Sequence, residues 1–137
     1  GREERGLLCR WNCAYCGQGV QVCARSRETA TRAADAASSV VKHFGGNALY
    51  VNVMKNMSVD CDCCAVAEDP CIKDMGVLVS TDPVAIDQAC IDFVYASDDP
   101  RKAHFIERVE SRNGVHSIEA AAELGIGSRE YELVTIE

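Results

Sequence analysis

The sequence predicts an α/β fold: a small three-stranded sheet, mostly parallel or mixed, flanked by about four helices within one domain of 137 residues. Three observations carry this. From Ser26 onward Ala30, Ala33, Ala34, Ala37, Val40, Val41 and Phe44 recur at steps of three and four, the period of a helix, until Gly45 and Gly46 stop it. Ala48–Met54 and Met75–Ser80 are short, nearly continuous runs of apolar and β-branched residues, as strands covered on both faces are. Asp82-Pro83 and Asp99-Pro100 each precede a helical pattern, with aspartate placed to cap and proline preset for the first turn.

In chain order, Gly1 to Gly6 is charged and aperiodic and reads as a fraying terminus, the cut end of a longer chain. Residues 7–25 form a cysteine-rich segment holding Cys9, Cys13, Cys16 and Cys23, with Gly17 and Gly19 easing a turn and Trp11 suited to anchor it. The alanine-rich helix then leads into the first strand, Ala48–Met54, expected to be central. A loop rich in thiols and carboxylates leaves that strand, and Asp69-Pro70 breaks any helix before Cys71. The second strand, Met75–Ser80, feeds a helix from Asp82-Pro83 to about Ala96. A third helix runs from Asp99-Pro100 to about Arg112 with Gly114 as its stop, and Ser117 caps a short fourth one ending at Leu124-Gly125. Tyr131–Ile136 is the expected third strand. No helix separates the first two strands, so that pair is open to either direction. The second and third strands, if parallel, require a right-handed crossover.

Composition excludes several classes of function. A formal charge of −7, spread along the chain without a basic block, disfavours nucleic acid and anionic membrane as partners. No run reaches the length of a membrane span, and none has the layout of a signal peptide. A chain of this size can bury roughly two-thirds of its unfolded surface, so covalent staples are not required. A reducing cytoplasm is the expected home.

Nine cysteines is an odd number for a disulfide scaffold, and they cluster: Cys9, Cys13, Cys16 and Cys23; then Cys61, Cys63, Cys64 and Cys71; then Cys90 alone. The first group, C-x3-C-x2-C-x6-C, is spaced to turn several sulfurs around one centre, either an iron–sulfur cluster or a zinc ion. The second sits in Val59 to Cys64, Val-Asp-Cys-Asp-Cys-Cys, where three thiols and two carboxylates fall in six residues. Cys61 and Cys63 alternate and can face one way in extended chain, with Asp60 and Asp62 facing the other. Neighbouring Cys63 and Cys64 do not readily reach the same ion, so one of them is expected to join Cys61. The plain alternative for both groups is small buried residues. Asp82 is a helix cap by its Asp-Pro context, and a helix N-terminus there is also suited to an anionic ligand in a crevice shared with Asp60 and Asp62. His43, His104 and His116 stand apart from the cysteines and read as surface or helix-end residues. No nucleophilic triad, phosphate-binding glycine loop or carboxylate pair is legible, so the catalytic residues and the reaction are unassigned. The triplet ending Tyr15-Cys16 is similar to the radical S-adenosylmethionine signature, but the residues that follow lack the repeated βα units of a barrel of about 250 residues.

Three motifs bring a family into view: Val59-Asp-Cys-Asp-Cys-Cys64; Met75-Gly-Val-Leu-Val-Ser-Thr-Asp-Pro-Val-Ala-Ile-Asp-Gln-Ala-Cys90; and Gly127-Ser-Arg-Glu-Tyr-Glu-Leu133. Together they resemble the C-terminal half of the uncharacterised Fe–S centre proteins called the domain of unknown function 362 family. The resemblance implies iron–sulfur binding, and a chain that is part of a longer one with an N-terminal α/β region and a ferredoxin-like insertion. The family's usual C-x2-C-x2-C-x3-C-P differs from the spacing here in its first and last gaps and in its proline. The leading expectation is thus an iron–sulfur protein in electron transfer or redox chemistry, carrying a four-iron cluster that is lost in air. Its partner would be a redox protein or the rest of its own chain. The alternatives are a structural zinc or thiol-rich scaffold, and part of an enzyme completed by a missing N-terminal half.

Overall fold

A computed structural model describes residues 10–12, 19–21, 27–59 and 68–136. The elements follow the chain as β1 (Arg10–Asn12), β2 (Gly19–Gln21), α1 (Arg27–Phe44), β3 (Tyr50–Met54), β4 (Gly76–Ser80), α2 (Pro83–Ala96), α3 (Lys102–Ser111) and α4 (Gly114–Glu123). The mixed α/β class and the four helices are as the sequence predicts. The sheet is not.

β3 and β4 pair antiparallel, Tyr50 opposite Ser80 and Met54 opposite Gly76, and among the described residues they form a sheet of two strands only. The mostly parallel, three-stranded sheet is therefore corrected. Its third member, Tyr131–Ile136, is extended but joins no ladder. The reason lies in its polar handles. Ser128 N donates to Asp82 Oδ2 at 2.8 Å, Arg129 Nε to Gln88 Oε1 at 2.8 Å and Tyr131 Oη to Asp92 Oδ2 at 2.8 Å. One anchor on the residue that caps α2 and two on the helix itself hold the segment along it, and the apolar tail beyond them remains in water. A second antiparallel pair, β1 with β2, was not foreseen. Its strands occupy the intervals between Cys9 and Cys13 and between Cys16 and Cys23.

The helices form where propensity and punctuation agree. α1 ends where Gly45 and Gly46 take φ of 56° and 86°, a region costly for a side chain, and Gly45 N closes onto Val41 O at 3.2 Å. Its small residues Ala34 and Ser38 are buried against α4, which lets the two helices approach closely. α2 lies on one face of the hairpin and supplies the buried Val84, Ala85, Ile86, Ala89 and Val94. Met54, Ile72 and Val94 make the innermost cluster, with Leu78, Phe93, Phe105 and Ile106 packed around it. α4 begins earlier than its serine suggests. Asn113 adopts φ 52° and reverses the chain directly into Gly114, while the Ser117 hydroxyl donates to Gly114 O at 2.7 Å rather than capping. Gly114 is thus the first residue of α4 rather than the stop of α3.

Candidate functional site

Cys9, Cys13, Cys16, Cys23, Asp60, Cys61, Asp62, Cys63 and Cys64 lie outside the described residues; Asp82 lies within them. What the fold provides at the second cysteine group is the neck of its loop. Asn56, at φ 50°, turns the chain out of β3, and its N–H donates to Asp74 Oδ1 at 2.9 Å. Cys71 N then donates to Met57 O at 3.0 Å, and the Ser58 hydroxyl to Glu68 O at 2.7 Å. Residues 57 and 58 are in this way bonded to 71 and 68, so the segment between them starts and ends at one place.

The neck is tied to α3. Glu68 Oε2 lies 2.8 Å from His104 Nε2, and Glu68 Oε1 lies 3.5 Å from Arg108 Nη2. A second tie follows Cys71: Lys73 N donates to Asp99 Oδ2 at 2.9 Å, and the Lys73 ammonium pairs with Asp98. Asp99 also takes Arg101 N at 2.9 Å on Oδ1, and the Arg101 guanidinium at 3.1 Å and 2.8 Å on its two oxygens. Those donors, led by the Arg101 side chain, hold the Asp99 carboxyl far below the usual carboxylate range. His104 is a surface histidine near a helix end, as the sequence predicts, but its ion-pair partner was not legible. Its partner Glu68 is 36 residues away, a separation that helical spacing cannot reveal.

Asp82 is a worked-out helix cap. With φ −110° and ψ 116°, it accepts Val84 N at 2.8 Å and Ala85 N at 2.9 Å on Oδ1, while Oδ2 takes Ser128 N. Gly127 is required beside it, because a Cβ there would run into Asp82 Oδ1. The crevice expected between this turn and the cysteine loop presupposes parallel neighbouring strands, and that premise is overturned. In the antiparallel hairpin Asp82 follows Ser80 at the Tyr50 end, whereas the neck leaves at the Met54–Gly76 end, roughly 15 Å of strand away.

Two cysteines can be described fully, and both are free thiols, partly buried. Cys90, on α2, faces β3: Asn52 Nδ2 donates to Cys90 Sγ at 3.3 Å and to Asp87 Oδ1 at 3.0 Å. Burial pushes the Cys90 thiol up, opposed by the Asn52 hydrogen bond and aided by the Asp87 charge, which favours the protonated thiol. Among the described residues no group of three or more His, Cys, Asp or Glu side chains is placed to hold a metal ion. A cleft of about 450 Å³ between α1, α4 and the start of α2 is lined mainly by small apolar side chains, including Ala33, Ala37, Val84 and Ala121. It has room for an apolar group, with Tyr50 and Asp87 among its few polar neighbours.

The family model described as domain of unknown function (DUF362) matches residues 12–92, more than half of the chain. The matched region takes in the second cysteine group, both strands of the hairpin and α2 as far as Asp92. Compared with curated proteins and with solved structures, the chain matches none.

Proposed function

The chain belongs to the DUF362 family, and from that premise we propose that it is an iron–sulfur protein domain serving electron transfer or redox chemistry. The observation that carries the reading is the pinched neck. Cys61, Cys63 and Cys64 fall in a segment whose flanks are joined by the Met57–Cys71 and Ser58–Glu68 hydrogen bonds, so its ends are already brought together before any ligand arrives. Thiolates are soft donors, suited to iron–sulfur or zinc and poorly suited to magnesium or calcium. In this reading Cys61 and one of Cys63 and Cys64 are ligands in the loop, and Cys9, Cys13, Cys16 and Cys23 form the second donor set. A bound cluster would supply one-electron transfer; the chain's own part is to hold the thiolates and restrict water around them. The partner is a redox protein or the remainder of a longer chain, and the setting is the cytoplasm, where thiols stay reduced. Among the described residues no helix is long and apolar enough to cross a membrane.

Anaerobic purification followed by iron and acid-labile sulfide analysis tests this. Brown protein with matching iron and sulfide is the expected result, bleaching in air as exposed clusters oxidise. Stoichiometric zinc without sulfide would overturn it in favour of a structural metal. Cys61→Ser is expected to lower metal content while helix content stays intact. Unchanged metal content in that variant removes the loop from the site.

A further inference from the structure

The β3–β4 hairpin is apolar on both faces, and only one of them is covered. Residues alternate across a strand, so one face of an antiparallel pair ordinarily packs inward while the other carries polar groups to water. Here the inner face, against α2, carries the core residues Met54 and Leu78 beside Asn52 and Ser80, and the outer face, where polar groups would be expected, carries Val51 opposite Val79 and Val53 opposite Val77. These four valines are between 53% and 61% exposed, and Leu49 just before β3 is 66% exposed. No charged residue lies among the four. Strand propensity favours valine, yet threonine would serve that propensity equally on a wetted face. Four apolar side chains in two adjacent cross-strand pairs instead form one continuous patch.

We propose that this face is a self-association surface, on which the same face of a second copy packs sheet against sheet. Two features select a second copy as the occupant. Four identical side chains at the corners of a near-rectangle are their own complement about a two-fold axis, which is what an interface between like surfaces requires. The area also fits a weak dimer: the five residues expose roughly 500 Å² per copy, so closure removes at most about 1,000 Å² in total, the threshold for a biological interface and the size of a transient one. The two sheets would stack about 10 Å apart, with the valines of one interleaved between those of the other. The proposal is independent of any metal.

An interface of this size predicts a reversible dimer with a dissociation constant on the order of micromolar. Each copy carries a net charge of −7, so added salt should tighten the association, the reverse of what ion pairing gives. Sedimentation velocity on the whole chain, from low micromolar to several hundred micromolar, reads both. The double substitution Val53→Glu with Val77→Glu is expected to weaken dimerisation at least about tenfold. Mixing that variant with Val53→Lys/Val77→Lys copies should restore association between unlike copies. Should the glutamate variant fail to fold, Val51→Thr/Val79→Thr keeps the strands and must still weaken the dimer. A wild-type chain that stays monomeric throughout, or a folded variant that dimerises as well as wild type, overturns the proposal. So does a monomer whose valine face binds lipid vesicles or another protein instead.

Discussion

Ser80-Thr81-Asp82-Pro83 and Ser97-Asp98-Asp99-Pro100 are the same local sequence in outline, and they do different work. In both, the aspartate N–H donates to the hydroxyl of the serine two residues before it, at 3.0 Å and 3.2 Å. The carboxylates then part ways. Asp82 caps α2 through Val84 N and Ala85 N, and the helix starts at the proline. Asp99 instead collects Arg101 and Lys73 N, and α3 starts later, at Lys102, with no side-chain cap. A helix-start dipeptide fixes the backbone direction; which donors reach the carboxylate decides whether it caps a helix or knots two segments together.

The sharpest way to break this contrast is at the capping end. Gly127→Ala would force a methyl group into the Asp82 carboxylate and to 2.8 Å from Val84 Cγ2, displacing an oxygen that serves the cap. A loss on the order of 2–4 kcal/mol is expected in urea unfolding. Asp82→Ala leaves Val84 N, Ala85 N and Ser128 N without their acceptor and should cost about 2 kcal/mol, with helix content reduced at the start of α2. Equal losses in the two variants would show that the glycine acts only through the carboxylate.

At the knotting end the signature is pH. Because the folded state lowers the Asp99 pKa, the unfolded chain binds that proton more readily, so the stability Asp99 contributes is present above the ordinary carboxyl value of about 3.9 and declines as pH falls below it. Asp99→Asn should therefore melt below wild type at pH 7 and converge on it in acid. A constant gap down to pH 2 would contradict the assignment. The smallest effect is expected at Tyr131→Phe, about 0.5 kcal/mol, since its hydroxyl bond to Asp92 is largely in water. That hydrogen bond, with a lesser part from burial, raises the phenol pKa, so Asp92→Asn should bring the Tyr131 ionisation down in an ultraviolet titration.

What the sequence made legible was local. The glycine pair after Phe44, the β-branched runs and the first Asp-Pro each act within a few residues, and α1, β3, β4 and α2 come out within two residues of expectation. What it hid depends on distant partners. Tyr131–Ile136 has the composition of a strand, but Gln88 and Asp92, some forty residues upstream, compete for it through side chains and win. Strand direction was equally hidden, because the long connection through 55–75 permits either sense. Of the candidate site, the cysteines are evident in the sequence, whereas the neck depends on Ser58 meeting Glu68 and on His104 arriving from another helix.

A segment held by side chains rather than by a ladder has a particular exchange behaviour. The Ser128 amide is bound to Asp82 and the Glu130 amide to the Ser128 hydroxyl, but nothing in the described structure engages the main-chain amides of Leu133 to Ile136 in a sheet. Deuterium should therefore enter those amides early and the Ser128 amide late, while β3 and β4 exchange together in a slower, separate unit. Residues 133–136 can move away from α2 without opening the hairpin, so cleavage within them leaves the core around Met54, Ile72 and Val94 standing.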